Sequence, residues 1–193
     1  MGAGPSDLAT AACLNMFSIP NIILEKENCS ASLWRTRAYD RLKLHLAKHF
    51  CELPHMPYPS TAPTFIPKDE FVQYLDNYQA HFKLNILDCT IVDSATYDKY
   101  NRSWSIVAYD KVTGEVKEYM AKFLVVATGE NSEGVIPDIL GLNPFFGKVI
   151  HSSSYKSGAA YTGKNVLIVG SGNSGMEIAY DLSNFRAKTS ITF

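Results

Sequence analysis

Two glycine-rich runs are the residues of this chain with the plainest chemical use, Gly2-Ala3-Gly4-Pro5-Ser6-Asp7 near one end and Gly170-Ser171-Gly172-Asn173-Ser174-Gly175 near the other. The spacing G-x-G-x-x-G suits a diphosphate. Its first glycine permits a tight strand-to-helix turn, its second lets the main chain approach a pyrophosphate, and its third brings the helix close to the strand. The N–H groups and dipole of the helix start then attract the phosphate oxygens. One such run suggests a dehydrogenase, whereas two predict a flavin enzyme that takes hydride from a nicotinamide, with the reaction carried by the cofactors.

The elements that must position the second run flank it in the right order. Asn165-Val166-Leu167-Ile168-Val169 is a continuous apolar run of the kind a buried parallel strand shows. Met176 to Leu182 reads as a helix with Ile178 and Leu182 on one side. The first run departs from the pattern twice. Only Met1 precedes Gly2, so the strand before it is expected to be missing, and Asp7 holds the third glycine position. An acid suits the first turn of a helix. The favoured reading is that its Cβ and carboxylate fill the place kept for close packing, near a diphosphate that they repel. Leu8 to Leu14 follows as a helix, and Pro20 to Glu25 as a short apolar strand. Glu25 falls about 20 residues past the glycines, where such folds place a ribose-binding carboxylate. The alternative is a solvated strand-end charge.

The 193 residues are 46% hydrophobic with a formal net charge of −1, an ordinary globular composition without the basic surface that nucleic acid requires. No apolar stretch approaches the roughly 20 residues of a membrane span, and Met1 opens on a glycine turn without the regions of a signal peptide. A cytoplasmic protein is expected. Cys13, Cys29, Cys51 and Cys89 form no C-x-x-C pair, which argues against a zinc site, a dithiol centre and a flavin disulfide reductase. Among the histidines only His45 and His49 have H-x-x-x-H spacing, in a stretch whose alternation also fits a strand, so no metal is expected.

Between the runs, Arg35, Arg37, Tyr39 and Arg41 stand two apart. They form either a solvated basic edge or a loop facing flavin phosphates or an anionic substrate. The proline-dense stretch from Leu53 to Pro67 must be an ordered surface loop. Phe71, Leu75, Tyr78 and Phe82 recur at helical spacing as a core stripe. Residues 85–97, 104–109 and 115–120 read as a β-meander. Phe123 to Ala127 then reads as an apolar strand leading into Thr128-Gly129-Glu130-Asn131, whose glycine lets backbone pass close to a cofactor.

The segment Phe145-Phe146-Gly147-Lys148-Val149-Ile150-His151-Ser152-Ser153-Ser154-Tyr155-Lys156 matches F-x-G-x-x-x-H-x-x-x-Y-[KR], the identifying segment of flavin-containing monooxygenases and related Baeyer–Villiger enzymes. With Ala127 to Asn131, Tyr39 to His45, and Gly172 to Glu177, the whole chain resembles the plant YUCCA branch of that family. The resemblance implies FAD reduced by NADPH, oxygen added at flavin C4a to form a peroxyflavin, and oxidative decarboxylation of indole-3-pyruvate to indole-3-acetic acid. It implies FAD contacts at Gly2, Gly4, Pro5, Glu25, Thr128 and Gly129, and NADPH contacts at Gly170, Gly172, Asn173 and Gly175. Phe145, Gly147, His151, Tyr155 and Lys156 would couple the two nucleotide domains. His45 and Asn131 are candidates for contacts to flavin, ribose or nicotinamide. The expected fold is α/β: an FAD-binding doubly wound parallel-sheet domain with a β-meander over 1–159, then the start of a second Rossmann-type, NADPH-binding domain over 160–193. By the same resemblance the chain is expected to stop inside the second strand of that domain, so a catalytically inactive remnant that binds nucleotide weakly, or a protein partner, is the alternative to an active enzyme.

Overall fold

A computed structural model describes residues 1–192. The chain divides into two compact units, Met1–Thr36 with Lys43–Ser132, and Arg37–Leu42 with the stretch from Glu133 onward.

In the first unit, helix α1 (Pro5–Met16) starts with proline at its first position, where the missing N–H is lost without cost and φ is already helical. Asp7, Leu8, Ala11 and Ala12 form its buried face, the i, i+3, i+4 pattern of one helical side. Strands β1 (Ile23–Leu24) and β2 (Ile86–Leu87) pair in parallel. No regular strand precedes the α1 turn, but Met1 and Gly2 are held by bonds to neighbouring backbone. Gly2 N–H donates to Leu24 O at 2.8 Å, and Ala127 N–H donates to Met1 O at 3.3 Å. The Met1 ammonium donates to Val125 O at 2.7 Å. These bonds take up the polar groups of the two residues without making them a strand. By contrast, the expected strand over Phe123 to Ala127 is not regular. Phe123 and Val126 are 84% and 62% exposed, so apolar composition alone has not given this stretch a sheet to lie in.

Short helix α2 (Ser32–Thr36) and helix α3 (Lys68–His81) complete this core. Phe71, Tyr74, Leu75 and Tyr78 are buried on α3, and Trp34 packs edge-on against Phe71. The proline-dense loop is fastened to the same helix. Tyr58 stacks on Tyr74 with ring centroids 4.2 Å apart, Tyr74 OH accepts from Leu53 N–H and donates to Met56 O, and Tyr78 OH donates to Pro54 O. Strands β3 (Thr90–Asp98), β4 (Ser103–Asp110) and β5 (Val116–Ala121) form the antiparallel meander in the order β3-β4-β5. Asp98 and Asp110 close its two turns by accepting backbone N–H groups, which hold both carboxyls below the ordinary carboxylate range.

In the second unit, β6 (Asn165–Val169), α4 (Asn173–Asn184) and β7 (Lys188–Thr192) make a parallel β-α-β turn of chain. Val166 and Ile168 pack with buried Tyr39, Tyr155, Ile178 and Leu182. Leu167 and Val169 are each 64% exposed, so β6 is covered on one face where its continuous apolar run predicted two. Among the described residues no helix is long and apolar enough to cross a membrane.

Candidate functional site

The second glycine run is built as its spacing demands. Gly170 has φ +107° and donates its N–H to Thr192 O at 2.7 Å, a left-handed conformation that side chains other than glycine resist. Gly172 caps α4, and a Cβ added there would meet nothing within 4 Å. Open space therefore lies before a helix start whose first N–H groups have no intrahelical acceptors. A Cβ at Gly175 would collide with the Gly170 carbonyl oxygen, so the third glycine is the condition for the helix lying this close. Asn173, the first residue of α4, is exposed at the mouth of this space.

The first run shares the turn but not the third glycine. Gly2 has φ +99°, and Gly4 caps α1 with nothing within 4 Å of an added Cβ. Glu25 is buried, and it is bonded into the turn. Its Oε2 accepts from Ala3 N–H at 2.5 Å and its Oε1 from Glu27 N–H at 2.9 Å, which rules out the solvated strand-end charge. Two backbone donors to one carboxylate make Glu25 a clamp that ties the glycine turn to the residues just after β1. Glu25→Gln puts an amide N–H against one of those donors. It is expected to destabilise the protein by about 2 kcal/mol, a hydrogen bond to a charged group lost and a donor orphaned. Urea unfolding at pH 7 measures this, and an unchanged midpoint would refute the clamp.

Asp7 occupies the third position, with a carboxylate side chain where the second run has glycine. Its side chain is 3% exposed and its Oδ1 lies 3.4 Å from the Met1 ammonium. Its Oδ2 is buried without a hydrogen-bond partner and would sit 2.9 Å from a Cβ on Gly2. Burial, the largest influence, raises the Asp7 carboxyl to about 6, against the pull of the Met1 ammonium and the Gly4 backbone. A raised folded-state value means that the native protein holds a proton that the unfolded chain has released. Stability is therefore lost as pH rises from the ordinary value of 3.8 toward 6, by up to roughly 3 kcal/mol. Asp7→Asn is expected to melt at a higher temperature than the parent at pH 7.5 and to match it near pH 4. Parallel pH profiles for the two proteins would contradict this.

The F-x-G segment lies in the second unit. Phe145 is exposed and its ring lies over Gly147, where a Cβ would strike it. His151 packs on Gly134 in the same way, and its Nδ1 accepts from Ser153 N–H at 3.2 Å. Tyr155 is buried, and its OH donates to Asp181 Oδ2 at 2.5 Å. Burial and the carboxylate beside it drive the Tyr155 phenol far above its ordinary value. Gly158 N–H donates to the same oxygen at 2.8 Å, and Arg41 approaches Asp181 Oδ1 at 3.6 Å while lying 4.5 Å over the Tyr180 ring. Lys156 Nζ donates to Ala38 O, and Lys156 O accepts from Asp40 N–H. The segment thus fastens α4, the helix that begins at the second glycine turn, to residues 37–42.

The remaining expected contacts are less gathered. Thr128, Gly129, Asn131 and His45 are exposed, and Gly129 has φ +75°. The basic edge resolves into partnered groups: Arg35 pairs with Asp76 and donates to Ser30 O, and Arg41 belongs to the Asp181 cluster. Among the described residues no group of three metal-ligating side chains occurs. Asp181 was the residue sequence reasoning missed. Its signal was present, since it sits between Ile178 and Leu182 on the apolar side of α4.

The family model for pyridine nucleotide-disulphide oxidoreductases matches residues 1–192. The chain is 57% identical over 191 residues to the Arabidopsis thaliana protein named "Probable indole-3-pyruvate monooxygenase YUCCA10", covering 99% of this chain and 50% of that protein. It is 49% identical to "Probable indole-3-pyruvate monooxygenase YUCCA8" of the same plant, covering 99% of this chain and 45% of the relative. Among solved structures, the flavin-containing monooxygenase from Stenotrophomonas maltophilia superposes with a TM-score of 0.86 at 27% identity, over 98% of this chain and 55% of that one. The chain spans about half the length of the curated relatives it matches.

Proposed function

The chain belongs to the pyridine nucleotide-disulphide oxidoreductase family, and on that premise we propose that it is a cytoplasmic, YUCCA-like flavin-containing monooxygenase. In this reading FAD lies on the first glycine turn, within a domain over 1–159, and NADPH on the second, within one over 160–193. The overall reaction is indole-3-pyruvate, O2, NADPH and a proton going to indole-3-acetic acid, carbon dioxide, water and NADP⁺.

The observation that carries this reading is the pair of glycine turns, each leading into a helix start with open space before its second glycine. FAD, when bound and reduced, supplies the oxygen chemistry. The residues of this chain bind and orient. The α1 and α4 starts receive pyrophosphates, Glu25 holds the first loop, and Tyr155 with Asp181 holds α4. His45 and Asn131 are proposed as polar contacts to cofactor from exposed positions. One observation favours the second reading, a non-catalytic member that binds nucleotide weakly or a protein partner: the Asp7 carboxylate at the FAD turn. The test is to supply the chain with FAD, NADPH, air and indole-3-pyruvate and to measure indole-3-acetic acid against NADPH consumed. Equal amounts support the enzyme; bound flavin without product supports the second reading.

A further inference from the structure

Two acidic groups and one expected diphosphate converge on the start of α1. Asp7 is buried in its first turn with Oδ2 unpartnered and set against Gly2, while Glu25 is bonded to Ala3 N–H in the same turn. The charged and titratable groups facing Asp7 are the Met1 ammonium and the Glu25 carboxylate. The first is attractive and the second repulsive. The Val125 and Ala127 backbone on the far side brings no ionisable group, only carbonyls. An ionised Asp7 and a bound pyrophosphate would both draw on the same few N–H groups and the same helix dipole.

We propose that the first glycine turn accepts FAD only together with a proton on Asp7, so that flavin affinity falls as the pH rises through neutrality. The second turn lacks this coupling, because Gly175 stands where the first has Asp7. The inference rests on the assignment of FAD to the first turn and adds a regulation of that site. Its physical basis is linkage. The pyrophosphate penalises the carboxylate, so a ligand that binds the protonated form takes up a proton wherever the free protein has lost it. With the free carboxyl titrating at about 6, the coupling is felt above that pH and disappears below it.

The test is the FAD dissociation constant of the 193-residue chain, measured by flavin fluorescence at pH 5 and pH 7 and by calorimetry at pH 7 in buffers of different ionisation enthalpy. The parent is expected to bind about tenfold more weakly at pH 7 than at pH 5 and to take up close to one proton per flavin at pH 7. Asp7→Asn, nearly isosteric, and Asp7→Gly, which restores the usual residue, are both expected to bind with little pH dependence and no proton uptake. A flat parent profile, or a slope retained in both variants, overturns the coupling while leaving the FAD site standing. Absence of flavin binding in all three proteins at every pH overturns the coupling and the proposed function together.

Discussion

Gly175→Ala is expected to weaken NADPH binding by at least about tenfold while leaving FAD affinity within about twofold. The added Cβ meets the Gly170 carbonyl oxygen, with Ile168 at 3.5 Å behind it. Neither can move freely. Gly170 is tied by its N–H to Thr192 O at the end of β7, and Ile168 is packed into the cluster around Ile178 and Leu182. Relief therefore requires α4 to shift outward, at the roughly 1–3 kcal/mol that overpacking costs. The shift carries the helix-start N–H groups away from the pyrophosphate, and each 1.4 kcal/mol lost there is about tenfold in affinity. Equilibrium titration with NADPH and with FAD measures both constants. An unchanged NADPH constant would remove the second turn from the site.

Asp181→Ala is expected to cost roughly 3 kcal/mol of stability. The carboxylate accepts from Tyr155 OH and Gly158 N–H and faces Arg41. Removing it leaves a buried phenol and a buried backbone N–H without acceptors, and each orphaned buried group costs about 1–3 kcal/mol. Tyr155→Phe removes only the hydroxyl and is expected to cost about 1.5 kcal/mol. Chemical denaturation read through near-ultraviolet circular dichroism, which reports the stacked Tyr155 and Tyr161, distinguishes the two. Equal losses in both variants would mean that Gly158 N–H contributes nothing.

Both glycine turns were legible in the sequence because each glycine answers a local backbone demand. So were α3 and most of the meander, where apolar residues repeat at the period of one element, whereas Ile86 and Leu87, read as part of the meander, pair in parallel with β1. What the sequence could not convey was which polar groups find each other across distance. Glu25 and Ala3 lie 22 residues apart, and Asp181 and Tyr155 lie 26 apart. Asp181 reads as an ordinary surface acid until Tyr155 and Gly158 are brought beneath it. Phe123 to Ala127 shows the opposite failure: its composition is that of a strand, but a strand needs a partner edge, and here only Met1 among the described residues supplies backbone bonds to it. Asp7 was recognised as a departure from the pattern, but its depth, and the unpartnered oxygen that goes with it, depend on how α1 docks against Gly2.

The first glycine turn is proposed to hold a flavin dinucleotide despite Asp7. The visible absorption spectrum of the purified chain, taken after incubation with FAD at pH 5.5 and desalting, tests it most directly. Retained flavin absorbance, with a protein-shifted band and near-stoichiometric content, is the predicted result. A colourless protein at that pH, where Asp7 holds its proton, would contradict it.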